Sequence, residues 1–358
     1  MYNNEECLVM DMVKLLGHIV ADGGRLWMVS SAAEVGFRVT GATRVLLRLR
    51  ADDSVSDPAR ETQLPRFAVR LDGKKILDAR LTAPEAAVTV FEGGVPRDAE
   101  VRLIKLSEGT QSLMALQEIV TDGEIAPLPN KPLKMEFIGD SITCGYGVEG
   151  KNEAEDFSTA TENAEKAYAC LTAEALGADA VLTCFSGHGI ISGYTDNPAV
   201  RNGSELVPPY YEKEGRNGYR LPSGRLVEEI PRDFSAFRPD YIVLNLGTND
   251  LSWCGTDRER GRQFAQLYAE FLKTVRKDNP EARILCALGV MGTGLNPMMQ
   301  QAAEAYCKET GDRKIRLLML EEQNAARDGY GCNYHPNEIT QRLLAGRVTE
   351  AIRKWMKI

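Results

Sequence analysis

The feature that most constrains the fold is a change in hydrophobic pattern on either side of a proline-rich segment, residues 126–132. Before this segment, short stretches alternate apolar and polar residues, which is typical of strands with one buried face. After it, continuous apolar runs alternate with stretches of helical period, which is typical of strands covered on both faces by helices. The three prolines of the segment predict a stiff linker. The sequence therefore predicts two domains, residues 1–125 and residues 133–358.

The first domain is predicted to be all-β. The alternating stretches that predict its strands are 35–40, 44–50, 66–71, 74–81, 86–91, 101–106 and 114–120. Asp72-Gly73 separates two of these stretches and predicts a tight hairpin turn. Short strands at this spacing predict an antiparallel sandwich of the jelly-roll type. No catalytic cluster stands out in this domain, and its arginines are predicted to line the solvated face of the sheet.

The second domain is predicted to be a three-layer α/β/α domain. Its buried strands are predicted at 134–138, 181–185, 241–246, 284–288 and 315–320. Its helices are predicted at 164–176, 258–277, 297–308 and 339–355. This alternation of strands and helices predicts a parallel sheet. A long irregular segment, residues 189–224, is predicted to rim a pocket with its four tyrosines, Tyr194, Tyr210, Tyr211 and Tyr219.

Charge and composition limit the partners of the chain. The net charge of −8 argues against a nucleic-acid partner. No apolar run approaches the roughly 20 residues that span a bilayer, so no membrane partner is expected. The first twenty residues carry acids where a signal peptide would carry positive charge, and the eight cysteines form no CxxC pair. These features predict a cytoplasmic protein without a disulfide framework or zinc cluster, and they leave unconventional export open.

Four short motifs gather chemistry at the ends of predicted strands. Ser141, Gly187 and Asn249 each come just after a buried strand, and His335 comes just before the last helix. Taken singly, these are a capping serine, a flexible turn, a turn or N-cap asparagine and an incidental loop histidine. The carboxyl ends of parallel strands meet at one edge of a sheet, where open α/β proteins bind ligands. The four motifs together therefore predict a site.

These motifs carry a resemblance to a known family. Gly139-Asp-Ser-Ile, Gly187, Gly247-Thr-Asn-Asp and His335-Pro resemble, in order, the four sequence blocks of the SGNH (GDSL) hydrolases over residues 133–358. With a β-sandwich in front, the chain resembles carbohydrate esterase family 2, whose members remove acetyl groups from sugar hydroxyls of plant polysaccharides. The resemblance implies an acetyl xylan esterase-like carboxylic ester hydrolase whose substrate is an acetylated carbohydrate, such as a xylan- or mannan-derived oligosaccharide.

The resemblance also implies a role for each motif. Ser141 would be the nucleophile, and His335 would be the base that takes its proton. The backbone N–H groups of Ser141 and Gly187 and the side-chain amide of Asn249 would form the oxyanion hole, where charge develops in the reaction. Such a site requires no metal ion and no organic cofactor.

One position departs from the family pattern. The family often has an aspartate three residues before the histidine, where this chain has Cys332. Asn333 lies beside it, and Asp328 lies seven residues upstream of His335. Some members of carbohydrate esterase family 2 use a Ser–His dyad in which a main-chain carbonyl holds the histidine. The sequence resembles that variant, with Asp328 as the competing partner of His335.

Three alternatives to a carbohydrate esterase follow from the same sequence. The first is a lysophospholipase or thioesterase on the same fold, and the second is a non-catalytic carbohydrate-binding protein. The third is a metal site built from Asp140, His188 and His335. Four loop aromatics, Tyr146, Tyr194, Trp253 and Tyr334, favour sugar rings over a long acyl chain, unless they pack inside the domain. The sequence carries no signal for the oligomeric state or for the hydroxyl that bears the acetyl group.

Overall fold

The computed structural model describes residues 11–356. The prediction about a signal peptide rests in part on residues 1–10, which lie outside the described residues, as does Cys7. Within residues 11–356, no helix combines the length and the apolar character needed to cross a membrane.

The first domain is an antiparallel β-structure, as predicted. Its strands are β1 (Lys14–Leu16), β2 (Ile19–Asp22), β3 (Arg25–Met28), β4 (Glu34–Ala51), β5 (Arg66–Leu71), β6 (Lys74–Arg80), β7 (Glu85–Lys105), β8 (Met114–Thr121) and β9 (Glu124–Pro127). The strand order is β2-β3-β8-β4-β7-β5-β6, and β1 and β9 both pair with β4. The sheet curls around a core that contains Phe37, Leu47 and Leu103. The Asp72-Gly73 hairpin is confirmed, since both residues have positive φ between β5 and β6.

Two pairs of predicted strands are single strands in the structure. The stretches before and after Gly41 form β4, and those before and after Gly93-Gly94 form β7. These two long strands pair with each other, with register shifts that flank Ala42. The expected turns are therefore irregularities inside continuous strands, which bend a sheet without ending it. Glycine signals a turn and a bulge alike, so the pattern could not separate the two.

The second domain contains a five-stranded parallel sheet, as predicted. Its strands are β10 (Leu133–Gly139), β11 (Ala178–Cys184), β12 (Tyr241–Asn245), β13 (Arg283–Val290) and β14 (Ile315–Glu322), in the order β11-β10-β12-β13-β14. Its helices are α1 (Ser141–Cys144), α2 (Tyr168–Leu176), α3 (Pro208–Tyr211), α4 (Thr248–Cys254), α5 (Arg258–Asp278), α6 (Asn296–Thr310), α7 (Ala325–Asp328) and α8 (Glu338–Met356). Separate apolar cores cover the sheet, one against α5 and α6 and the other against α2 and α8. Because β10 lies between β11 and β12, the loops that follow these three strands meet at one edge.

Buried polar contacts join the two domains. Lys14 forms an ion pair with Asp179 at 2.6 Å, and Arg66 forms one with Glu149 at 2.6 Å. The predicted linker begins inside β9, and the backbone N–H of Lys131 donates to Asp179 at 2.9 Å. The sandwich is thus in polar contact with the domain that carries the candidate site.

The long segment 189–224 differs from its prediction. Tyr211 is fully buried in the core beside Phe271, and Tyr219 packs on Trp27 of the sandwich. These two tyrosines therefore do not rim a pocket. Burying an aromatic ring in a core often stabilises the fold more than leaving it at the rim of a pocket. An irregular segment has no periodic pattern that would tell a buried ring from one at the rim.

Candidate active site

Ser141 lies at the start of a short helix at the carboxyl end of β10. Asp140 caps this helix, since its Oδ1 accepts the N–H of Ile142 at 3.0 Å. A Cβ on Gly139 would lie 2.0 Å from Thr143 Oγ1, so only glycine lets the strand turn this tightly into α1. The first N–H groups of a helix have no partner inside the helix, so the N–H of Ser141 is available to a ligand. Burial raises the pKa of Asp140 to about 7.

His335 reaches Ser141 from the loop before α8. Its Nε2 lies 2.8 Å from Ser141 Oγ, and its Nδ1 lies 3.0 Å from the main-chain carbonyl of Asn333. A carbonyl can only accept, so Nδ1 carries the proton and Nε2 is left to accept from the serine hydroxyl. Burial lowers the pKa of His335 to about 4, so the ring is neutral at pH 7. A neutral imidazole with a free Nε2 can remove a proton from the serine.

The loop that presents His335 is shaped by its own backbone. Asn333 and Tyr334 both have positive φ, 49° and 64°, which is uncommon for residues other than glycine. The N–H of His335 donates to the carbonyl of Cys332 at 2.9 Å. Cys332 itself is fully buried, with its Sγ 3.3 Å from Thr161 Oγ1. Cys332 therefore anchors the loop by packing, and the carbonyl two residues before the histidine holds the ring.

Asp328, the competing partner for His335, is engaged elsewhere. Its carboxylate accepts from Arg327 at 2.7 and 2.6 Å, and this pairing lowers its pKa below the usual value. Its main-chain carbonyl accepts from Asn337 at 2.6 Å. The structure thus brings a main-chain carbonyl to the ring of His335, as the resemblance implies, while the catalytic role of the histidine stays a prediction.

Asn249 and the loop of Gly187 are brought together beside Ser141. The side-chain Nδ2 of Asn249 donates to the carbonyl of His188 at 2.9 Å and lies 3.5 Å from Asp140. An amide nitrogen has two N–H groups, so one is fixed by His188 and the other remains on the side of Asp140 and Ser141. Gly187 has a φ of 77°, in the turn that follows β11. The four predicted residues therefore share one edge of the sheet.

Two buried carboxylates of this region were missed by the sequence analysis. Asp250 accepts the backbone N–H groups of Ile190 (2.9 Å), Ile191 (2.7 Å) and Ser192 (3.1 Å), and burial raises its pKa to about 6. Its position next to Asn249 was the available signal. Glu108, from the sandwich, accepts the backbone N–H of Ser186 at 2.8 Å. No sequence signal pointed to it, because the two residues are 78 positions apart.

The four predicted aromatics divide into two pairs. Tyr146 stacks on Phe157 with ring centroids 3.8 Å apart, and its ring lies 4.3 Å from that of His335. Trp253 is half-buried beneath Arg260. Tyr194 and Tyr334, in contrast, are 54% and 60% exposed. Tyr146 and Trp253 thus pack against neighbouring side chains and Tyr194 and Tyr334 are exposed, and a sugar-binding role for all four stays a prediction.

The rival metal site is not formed. Within residues 11–356, the group of three potential ligands whose atoms all lie within 4.8 Å of one another consists of Glu108, Cys144 and Glu162, and not of the proposed Asp140, His188 and His335. Burial raises the pKa of the Cys144 thiol well above its usual value.

The chain matches known proteins in sequence. A family model described as the GDSL-like Lipase/Acylhydrolase family matches residues 137–343. Cellulase/esterase CelE of Acetivibrio thermocellus is 33% identical over 296 residues, which cover 80% of this chain and 34% of CelE. An acetylxylan esterase / glucomannan deacetylase of Cellvibrio japonicus is 26% identical over 80% of this chain and 76% of its own. The matched region thus spans only about a third of the length of CelE, 34%.

Solved structures match both domains of the chain. A family two carbohydrate esterase from Clostridium thermocellum, in complex with cellohexaose, has a TM-score of 0.80 at 26% identity, over 96% of this chain and 99% of that one. The acetyl xylan esterase Est2A from Butyrivibrio proteoclasticus has a TM-score of 0.83 at 24% identity, over 97% of this chain and 96% of that one. These matches confirm the fold, a β-sandwich followed by a three-layer α/β/α domain.

Proposed function

Because the chain belongs to the GDSL-like lipase/acylhydrolase family, we propose that it is a serine esterase that removes O-acetyl groups from carbohydrates. The observation that carries this proposal is the contact of 2.8 Å between Ser141 Oγ and His335 Nε2. A serine hydroxyl is a weak nucleophile until a neighbouring base takes its proton. Here the base lies within hydrogen-bond distance and has its other nitrogen fixed.

The reaction proceeds in two halves. As Ser141 Oγ bonds to the acetyl carbonyl carbon, its proton passes to Nε2 of His335, and the carbonyl oxygen becomes an oxyanion. The imidazolium then gives this proton to the departing sugar oxygen, which leaves an acetyl group on Ser141. A water molecule repeats the sequence, losing its proton to His335 and releasing acetate and the free serine.

Three hydrogen-bond donors stabilise the oxyanion in this mechanism. They are the backbone N–H groups of Ser141 and Gly187 and the side-chain amide of Asn249. These donors are already in place where negative charge develops, so the protein does not have to reorganise during the reaction. They therefore lower the activation barrier. The contacts of Asn249 support this role, because the carbonyl of His188 accepts one N–H of the amide at 2.9 Å and the other N–H makes only a long contact of 3.5 Å with Asp140, beside Ser141.

The histidine works without a carboxylate in this mechanism. The carbonyl of Asn333 orients the ring and partly stabilises the imidazolium through its dipole. A neutral carbonyl stabilises positive charge less than a carboxylate does, so the base is weaker than one in a triad. In exchange, His335 stays neutral and active at pH values where an ordinary histidine would be protonated.

Two observations support a carbohydrate substrate. Relatives of the chain are an acetylxylan esterase / glucomannan deacetylase and a cellulase/esterase, and a structural neighbour was solved with cellohexaose. In this chain, Tyr334 is 60% exposed and directly precedes His335, so its ring is available to the face of a sugar at the site of reaction. We therefore propose acetylated xylan- or mannan-derived oligosaccharides as substrates.

The test is acetate release from acetylated xylo-, manno- and gluco-oligosaccharides, measured beside 4-nitrophenyl esters from acetate to octanoate. We expect kcat/KM to be highest for acetyl esters, and Ser141→Ala to lower kcat by about 10⁴-fold or more. The exposed Ser235 offers a control, Ser235→Ala, with unchanged activity. Higher kcat/KM for octanoyl esters would replace the deacetylase with a lipase-like acylhydrolase, and an active Ser141→Ala enzyme would refute the serine mechanism.

A further inference from the structure

A carboxylate of the sandwich reaches the turn that carries Gly187. Glu108 is fully buried, in the turn after β7, and its Oε2 accepts the backbone N–H of Ser186 at 2.8 Å. The contact crosses the interface between the two domains. It fixes one backbone polar group of the residue directly before Gly187.

The other backbone polar group of Ser186 is held by His188. Its Nδ1 lies 2.8 Å from the carbonyl of Ser186, and its Nε2 contacts Nη1 of Arg216. A guanidinium only donates hydrogen bonds, so Nε2 is the acceptor and Nδ1 carries the proton. Burial lowers the pKa of His188, which keeps the ring neutral in this tautomer. The Nδ1–H of His188 therefore donates to the carbonyl of Ser186.

Holding Ser186 fixes the direction of the next N–H group. The carbonyl of Ser186 and the N–H of Gly187 belong to one planar trans peptide, in which they point in opposite directions. Gly187 has a φ of 77° and no side chain, so its own conformation restrains this peptide little. Contacts outside the glycine must therefore supply the restraint.

We propose that Glu108, a residue of the sandwich domain, is a positioning residue for the oxyanion hole. Together with His188, it holds Ser186 by both backbone polar groups and so aims the N–H of Gly187 at the developing oxyanion. This inference rests on the proposed function. In this proposal the sandwich domain contributes a residue that positions the active site.

The surroundings of Glu108 hold the carboxylate still. Its own N–H donates to Glu162 Oε2 at 3.1 Å, and both acids are fully buried near Lys105. Burial lowers the pKa of Lys105 to about 8, while the neighbouring acids oppose this shift, and burial raises the pKa of Glu162 well above its usual value. The side-chain amide of Gln111 donates to Glu108 Oε1 at 3.3 Å, and Lys105 donates to the carbonyl of Ser107 at 2.5 Å.

Two substitutions distinguish the effect of the side-chain length of Glu108 from the effect of its charge. Glu108→Asp keeps the charge near Lys105 but withdraws the acceptor from Ser186 by one methylene. Glu108→Gln loses the charge but keeps an oxygen at the same reach. We expect Glu108→Asp to lower kcat by about tenfold to a hundredfold with little change in KM, because small displacements of catalytic groups have such effects. Glu108→Gln should lose stability yet keep kcat within about threefold of the unmodified enzyme.

Asp179→Asn provides a matched control. Asp179 is also a buried acid at the domain interface, paired with Lys14, but it lies at the opposite end of β11 from Ser186. Its loss should lower the melting temperature and leave kcat unchanged. An independent variant, His188→Phe, keeps a ring but removes the donor to Ser186, so the same loss of kcat is expected. All rates are normalised to sites labelled by an organophosphate, and KM is measured for each variant.

The outcomes divide cleanly. A loss of kcat of about tenfold or more in Glu108→Asp, beside a loss of at most about threefold in Glu108→Gln, supports the proposal, as does a loss of about tenfold or more in His188→Phe. A loss of kcat below about tenfold in Glu108→Asp, a loss above about threefold in Glu108→Gln, or a loss below about tenfold in His188→Phe would overturn it. An active Ser141→Ala enzyme would instead refute the proposed function, whereas an inactive one beside a fully active Glu108→Asp enzyme would refute this inference alone.

Discussion

The two loops that complete the site are held by different kinds of group. His335 itself is held by main chain, with the carbonyl of Asn333 on the ring and that of Cys332 on the N–H of the histidine, while the side chain of Gln323 holds the carbonyl of Tyr334 in the same loop. The loop of Gly187 is held by side chains, with Glu108 and His188 on the two backbone polar groups of Ser186. The ring of His335 is set by local backbone geometry, whereas Ser186 is held by the neighbouring His188 and by Glu108, which only the fold brings close.

This difference assigns separate tasks to the two loops. A carbonyl orients the base without a charge, so the base stays neutral over a wide range of pH. Buried side chains, in contrast, can hold several N–H groups in one direction, which is what an oxyanion hole requires. We therefore expect large effects on kcat from the oxyanion side and tolerance to the loss of acidic groups around His335.

Among the groups that hold or form the oxyanion hole, the largest effect is expected at Asn249. Its amide is fixed by His188, so Asn249→Ala removes one oxyanion donor and should lower kcat by about 10²–10³-fold with little change in KM. Steady-state kinetics with an acetyl ester measures both constants. Asn197→Ala, in an exposed loop, serves as the control and should behave like the unmodified enzyme. Normal kcat in Asn249→Ala would return this residue to a structural role in its turn.

The second prediction concerns the pH at which kcat/KM falls on the acid side. The reaction needs neutral His335, so kcat/KM falls as the pH drops through the pKa of this histidine. Because burial lowers that pKa to about 4, the acid limb should be centred near pH 4, and at pH 5 the enzyme should keep most of its kcat/KM. An ordinary histidine with a pKa of about 6.5 would leave only a few per cent at that pH.

A profile of kcat/KM from pH 3.5 to about 8, with folding checked by circular dichroism at each pH, measures this limb. Asp140 is the titrating group beside Ser141, and its pKa is raised to about 7. Asp140→Asn keeps an oxygen that can cap α1, so it should leave the limb near pH 4 in place. A limb centred at pH 6.5 in both enzymes would contradict the burial of the base.

The sequence predicted most of the fold because the signals were local. Continuous apolar runs indicated four of the five parallel strands, the alternating residues 134–138 indicated the fifth, and Asp72-Gly73 indicated a hairpin. The long strands β4 and β7 were not predicted, because a glycine inside a bulged strand resembles one in a turn. The burial of Tyr211 was also missed, since the irregular segment around it carries no periodic pattern.

The sequence predicted the members of the site but not what holds them. Ser141, Gly187 and Asn249 could be placed together because parallel strands end at one edge of a sheet. Glu108 could not be placed there, because its contact depends on how the sandwich docks. The absence of an acid at Cys332 was visible in the sequence, whereas the carbonyl that replaces it depends on the positive φ of Asn333.

The most direct test of the central claim, a Ser–His pair oriented by main chain, is the kcat/KM of Asp328→Asn with an acetyl ester. The carboxylate of Asp328 is paired with Arg327 and does not hold His335. We therefore predict that Asp328→Asn, like Cys332→Ala, keeps kcat/KM within about tenfold, while His335→Ala nearly abolishes it. Loss of a triad carboxylate costs roughly 10⁴-fold in kcat. A fall of that size in a folded Asp328→Asn enzyme would show a true triad and contradict the account.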